Sequence, residues 1–144
     1  MRIYGGRGRS NLGYVNAYLM CNRPRINDPI RLYVDTGASR TTIADRDAIR
    51  LGIDYEQLEK SQAPVIGIGC SAIENYLMRN VLLAFRVSGG GYHIETLDIV
   101  TVLKHEPQNE NERMIVDQCP SLLGIDLLKK YAVRFTDKSV ILEK

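Results

Sequence analysis

The sequence lacks an excess of either charge: 19 basic against 17 acidic side chains leave a net +2 over 144 residues. So close a balance argues against nucleic acid or another polyanion as partner. The one local excess is N-terminal, with Arg2, Arg7 and Arg9 followed by Arg23 and Arg25. Aromatic residues do not interleave with it as a base-stacking platform requires, so it reads as a solvated edge. Long apolar runs are missing too. The longest, Val81-Leu82-Leu83-Ala84-Phe85, falls far short of a membrane span, and no signal peptide is visible. Cysteine is scarce: Cys21, Cys70 and Cys119 are odd in number and widely spaced, forming neither a CxxC pair nor a disulfide framework. His93 and His105 stand without a companion cluster, so neither a metal nor another cofactor is expected. Internal repeats, linkers and low-complexity segments are also lacking. These absences predict one soluble, reduced, cytoplasmic domain over residues 1–144, long enough to bury a core.

What is present is mostly strand-like. Residues 14–20 alternate and are rich in β-formers, and residues 30–34 form a second apolar run. Between them residues 22–29, with Pro24, Asn27, Asp28 and Pro29, read as dense turn chemistry, so the pair predicts a hairpin delivering Asp35. Residues 41–43 are β-branched and extended; residues 44–51 read as a short helix closed by Gly52. The polar residues 54–60 predict a further helical turn. Residues 73–87 and 92–103 read as strands around the glycine-rich turn 88–91, and residues 105–118 as an exposed polar loop. Residues 121–130 predict an amphipathic helix with Ser121 as N-cap, followed by strands over 132–135 and 139–142. At least seven strands, two short helices and no repeated β-α-β unit predict an all-β, mainly antiparallel domain.

The stretch Tyr33-Val34-Asp35-Thr36-Gly37-Ala38-Ser39 puts a carboxylate where an apolar strand ends in a tight turn. A carboxylate there costs solvation energy unless its charge is used or paired. Gly37 lets the backbone fold close around it, and Thr36 and Ser39 bring hydroxyls within reach. Taken alone, an ordinary strand ending in an Asp-x-Gly turn explains the stretch equally well. A second glycine pattern, Gly67-x-Gly69-x-x-Ala72, matches the dinucleotide fingerprint literally. That fingerprint needs a strand before it, a helix after it and an acid about twenty residues on. Here the preceding apolar piece is short and starts at Pro64, the acid would fall in Ser88 to Gly91, and no further β-α units follow. Small residues at the tip of a β-hairpin flap account for the glycines better.

Asp35-Thr36-Gly37-Ala38-Ser39, then Ile66-Gly67-Ile68-Gly69, then Leu122-Leu123-Gly124-Ile125-Asp126-Leu127-Leu128 resemble, in order, the three signatures of retropepsin-like aspartic proteases. The resemblance runs over about residues 14–142. It implies a closed-barrel-like acid protease half-domain with one or two short helices, acting as a homodimer. It also implies Asp35, Thr36 and Gly37 as the catalytic loop. Ala38, Ser39, Ile66, Gly67, Ile68, Gly69 and Cys70 would contact substrate, and Leu122, Leu123 and Gly124 would pack beneath the loop. Departures point to a cellular or prokaryotic-type member: residues 88–118 are largely extra, Cys70 replaces a usual glycine, and Arg40 stands where many retroviral members carry an acid.

The implied activity is aspartic endopeptidase. It needs two carboxylates sharing one proton across a water, one acting as base and the other as acid. One Asp-Thr-Gly per chain therefore requires a second copy, with Asp35 from each. By the resemblance, Thr36 hydroxyls bond across the dimer axis, the Gly37 amide bonds its own Asp35, and an extended peptide pairs with flap and floor strands. Other acids have simpler explanations: Asp45 and Asp47 open a predicted helix, and Asp126 lies on the C-terminal one, in a structural role. The alternative function is a catalytically inactive peptide-binding or dimerisation module of the same fold.

Overall fold

The computed structural model describes residues 1–62 and 72–144. In chain order the strands are β1 (Arg2–Tyr4), β2 (Gly6–Arg7), β3 (Gly13–Asn22), β4 (Arg25–Val34), β5 (Thr42–Ile43), β6 (Glu59–Lys60), β7 (Ala72–Arg86), β8 (Tyr92–Glu106), β9 (Leu122–Leu123), β10 (Ala132–Phe135) and β11 (Val140–Glu143). Among the described residues three α-helices punctuate them: α1 (Asp45–Arg50), α2 (Glu110–Gln118) and α3 (Ile125–Leu128).

The strand sequences alternate as a one-sided sheet demands. In β3, Val15, Ala17, Leu19 and Cys21 are buried, while Asn16 and Tyr18 face out. β3 and β4 form the expected hairpin, in register from Tyr14 opposite Tyr33 to Asn22 opposite Arg25. β7 and β8 form a longer one, from Ala72 opposite Glu106 to Arg86 opposite Tyr92, around a turn whose Gly89, Gly90 and Gly91 all take positive φ. The larger sheet runs β2-β3-β4-β9-β5-β8-β7-β6, and β3 also pairs with β7. That last pairing joins β3, β4, β9, β5, β8 and β7 into a closed ring. The fold is thus all-β and barrel-like, mainly antiparallel, with parallel pairings only at β4–β9 and β5–β8 among the described residues.

Closure gives the inward side chains one shared interior. Val15, Leu32, Ile43, Met78, Leu83, Phe85, Val100, Val102, Leu123 and Leu127 are essentially inaccessible there. Each buried aliphatic side chain of this size contributes about 1.5–3 kcal/mol relative to exposure. A second, three-stranded sheet, β1-β11-β10, brings the two ends of the chain together, with Ile3, Val140 and Leu142 buried beneath it.

Several expectations need correction. The turn read at residues 22–29 shrinks to Arg23 and Pro24, because Asn27, Asp28 and Pro29 lie inside β4. At Pro29, β4 pairs with β3 on one side, and β9 joins its other side only from Tyr33, so the missing N–H is tolerated at an open edge. Residues 54–60 hold a single 3₁₀ turn, Tyr55–Gln57, then strand β6. The loop read at 105–118 is the end of β8 followed by helix α2. The helix read at 121–130 is strand β9 followed by only one helical turn, α3, so Ser121 caps nothing.

Candidate active site

The loop bearing Asp35 leaves the end of β4 and re-enters the barrel as β5. β9 lies between these two strands, parallel to β4 (Tyr33 with Leu122, Val34 with Leu123) and antiparallel to β5 (Thr42 with Leu122). A dipeptide can serve as a central strand because both its edges are paired and Leu123 is fully buried. Leu122 and Leu123 lie between the two strands that flank the loop, as a strand rather than as the start of a helix.

Backbone bonds carry that pairing into the loop. The Tyr33 amide donates to the Ser121 carbonyl at 2.9 Å, and the Asp35 amide to the Leu123 carbonyl at 3.1 Å. The Gly37 amide donates to Asp35 Oδ1 at 2.8 Å, which fixes the carboxylate's orientation. A Cβ on Gly37 would stand 3.2 Å from that oxygen, tighter than an ordinary contact, so a side chain there would push on the carboxylate. The Ala38 amide closes the turn on the Asp35 carbonyl at 3.2 Å, and the Ala38 carbonyl accepts from the Ile125 amide at 2.8 Å. Asp35 is half-buried, whereas Thr36, Gly37 and Ser39 are exposed and Ala38 is half-buried.

Beyond the loop, Thr41 is the junction. It is buried, and its amide and hydroxyl donate to the two oxygens of Asp126 at 3.0 and 2.9 Å. The Thr41 hydroxyl in turn accepts from the Gly124 amide at 3.1 Å. Gly124 packs so closely on the loop that a Cβ would sit 2.6 Å from the Arg40 carbonyl oxygen and 2.8 Å from the Thr41 nitrogen. Asp126 thus holds the role expected of it, a structural acid. Sequence reasoning missed its partner Thr41, although a small hydroxyl directly after the loop is the signal that points there.

A second set of polar struts holds α1 against the same region. The buried Ser121 hydroxyl donates to Asp47 Oδ2 at 2.6 Å and accepts from the Ala44 amide at 2.9 Å. Asp45, also buried, accepts from the His105 amide and meets His105 Nδ1, both at 2.6 Å. Asp45 and Asp47 therefore do more than favour a helix start, since each ties α1 to another element. Next to them Tyr55 donates to the Leu103 carbonyl at 2.8 Å. Burial, and then the charges of Asp45 and Tyr76, push its hydroxyl up to about 12.

The structure brings together Asp35, Thr36, Gly37, Ala38, Ser39, Leu122, Leu123 and Gly124. Ile66, Gly67, Ile68, Gly69 and Cys70 lie outside the described residues. Among the described residues no cluster of three or more His, Cys, Asp or Glu is arranged to hold a metal ion, and no helix is long and apolar enough to cross a membrane.

The chain matches the family model described as aspartyl protease over residues 25–127. Among solved structures it is similar to a retropepsin-like aspartic protease from Rickettsia conorii, at 22% identity with a TM-score of 0.54, over 99% of this chain and 89% of that one. It is also similar to the EIAV protease in complex with an inhibitor, at 16% identity with a TM-score of 0.48, over 85% of this chain and 90% of that one. No curated protein matches it. The family match takes in the Asp35 loop, both strands that flank it and the Leu122-Leu123-Gly124 stretch, and the Rickettsia likeness extends the shared fold over nearly the whole chain. With the retropepsin-like fold, this chain belongs to the aspartyl protease family.

Proposed function

We propose that the chain, folded as one domain over residues 1–144, is an aspartic endopeptidase that works as a two-fold homodimer, with Asp35 of each copy forming one carboxylate pair. The observation that carries this reading is the held carboxylate. Asp35 is oriented by the Gly37 amide at 2.8 Å on a loop pinned to Leu123, Ile125 and Asp126, at the end of a strand inside a closed barrel. Such fixation positions a group for chemistry before substrate arrives. One such loop per chain supports the need for a second copy.

In the dimer one carboxylate takes a proton from water as the water oxygen attacks the scissile carbonyl carbon. The other, protonated, gives its proton to the carbonyl oxygen. The resulting diol collapses as the C–N bond breaks, and the amine leaves with a proton returned by the pair. Two carboxylates this close cannot both be charged, so the two titrations belong to the pair rather than to either side chain. Thr36, exposed at the loop tip, bonds its counterpart across the axis. Ala38 and Ser39 form the floor against which an extended peptide pairs, and Ile66, Gly67, Ile68, Gly69 and Cys70 are further substrate-contacting residues by the motif they carry.

Peptide cleavage by wild type and Asp35→Asn, measured from acid to neutral pH, tests this. The proposal expects cleavage by wild type and loss of at least about a thousandfold in the variant, the scale for removing a member of a catalytic unit. Equal cleavage by both would refute it. Sedimentation should show a dimer at concentrations where cleavage is seen, and a strict monomer that cuts would contradict the shared site.

A further inference from the structure

Two arginines stand near the strand ends that frame the Asp35 loop, Arg40 on the loop itself and Arg9 on the turn before β3. Arg40 ends the loop: its carbonyl oxygen accepts from the Thr42 hydroxyl at 3.0 Å and lies against Gly124, so its backbone is fixed while its side chain is exposed. Arg9 lies on the turn that leads into β3, the strand paired with the one that ends at Asp35. The β3–β4 register closes with Tyr14 opposite Tyr33, two residues before Asp35, and the chain before it turns just ahead of Gly13. That turn is the 3₁₀ element Arg9–Asn11, in which Arg9 is exposed and Ser10 and Asn11 take positive φ. Gly8, at its start, packs against the Tyr33 ring, holding the turn to β4.

Neither guanidinium makes an ion pair among the described residues. Arg2, Arg50 and Arg79, by contrast, are matched by Glu143, Asp47 and Glu59. Asp126, which binds the residue next to Arg40, is committed to Thr41 and the Leu127 amide. Beyond Asp35 itself, the loop and the turn before β3 carry no acid: residues 36–42 and 8–13 contain only Arg40 and Arg9 as charged side chains.

We propose that these arginines make the site selective for peptides carrying acidic side chains near the bond to be cut. The inference rests on the endopeptidase reading and adds its substrate class. Arg40 lies five positions after Asp35, a span of at most about 17 Å, the length of about five residues of extended peptide. The Arg40 contacts therefore fall within about five positions of the scissile bond. In a two-fold dimer each arginine recurs on the other side, so acids are favoured on both flanks. Guanidinium is suited to the task, because its planar fork meets a carboxylate with two parallel hydrogen bonds.

Matched peptides test this. A proteome-derived peptide mixture is digested with the full chain, and cut sites are read by mass spectrometry for Glu and Asp within five positions. One cleaved peptide is then made in Glu and Lys forms at the enriched position. Wild type should cut the Glu form about three- to tenfold faster at low salt, as expected for a partly exposed charge pair, and less so at high salt. Arg40→Glu should abolish or invert that ratio, and Arg9→Glu should do so on the positions it borders. A structural role for either arginine would lower both rates without changing their ratio. Cleavage with no acidic enrichment, or a ratio unmoved by both charge reversals, overturns the inference and leaves the endopeptidase reading standing. If wild type cuts nothing, the endopeptidase reading fails instead. Fluorescence anisotropy with the same two peptides then decides the charge selectivity: tighter Glu binding that Arg40→Glu removes upholds it, and equal binding rejects it.

Discussion

Three donors converge on the carboxylate of Asp126: the amide and hydroxyl of Thr41 and the Leu127 amide, at 2.9–3.0 Å. Thr41 is 1% exposed, so removing the acceptor strands its donors away from water. Asp126→Ala should lower stability by about 2–4 kcal/mol in denaturant unfolding. It should also reduce cleavage more than the residual folded fraction accounts for, because the Asp35 loop loses its far anchor. Legibility at this scale followed chemistry. Asp35 alone is explained equally well by an ordinary Asp-x-Gly turn; it became legible only with the glycine pattern at 66–69 and the Leu122-Leu123-Gly124 stretch following in order. Ser121 was misread for a physical reason: a serine just before an apolar run has the local signature of an N-cap. Its hydroxyl instead serves Asp47 and Ala44, more than 70 residues away in sequence.

Elements with local signals were legible, and those made by distant neighbours were not. The β3–β4 hairpin, the β7–β8 hairpin and α1 with Gly52 after it, at φ +67°, all follow from nearby residues. α2 was lost because its apolar residues Met114, Ile115 and Val116 are consecutive, which hides the helical period, and only Val116 is buried. A signal was nevertheless there. Asn109 followed by Glu112 is a capping pair: the Asn109 side chain accepts from the Glu112 amide at 2.9 Å, and Glu112 accepts from the Gln108 amide at 2.7 Å. Asn109→Ala should cost about 1 kcal/mol of local helix stability. Amide exchange should therefore quicken across residues 110–118, with the barrel amides unchanged. β9 could not be read at all, since two leucines become a strand only once β4 and β5 stand on either side.

Barrel closure and the joining of the chain ends belong to the whole molecule, and local pattern does not encode them. The clearest long-range device is Glu95, 5% exposed on β8. It receives Lys130 Nζ at 3.0 Å, Lys144 Nζ at 2.8 Å, Tyr131 Oη at 2.5 Å and His93 Nε2 at 3.0 Å, tying β8 to the segment after α3 and to the C-terminal strand. Burial alone would push its carboxyl up. The bonds from Lys144, Tyr131, His93 and Lys130 together outweigh that and hold it well below the usual carboxylate range. A carboxyl depressed on folding adds stability that is complete above its unfolded value, about 4.3, and that fades as pH falls towards its folded value. Glu95→Gln should therefore cost about 2–4 kcal/mol at pH 7, the lysines being partly exposed, and the gap to wild type should narrow below about pH 4 in thermal melts.

The same scale holds the central claim, that each chain supplies half of one active site. Wild type and Asp35→Asn are unfolded together, refolded at fixed total protein and assayed on one peptide as the variant fraction rises. If a working site needs Asp35 from both copies, random pairing makes activity follow the square of the wild-type fraction, leaving about one quarter of it at an equal mixture. Activity falling in simple proportion, to about one half, would mean that each chain cuts alone, and would contradict the account.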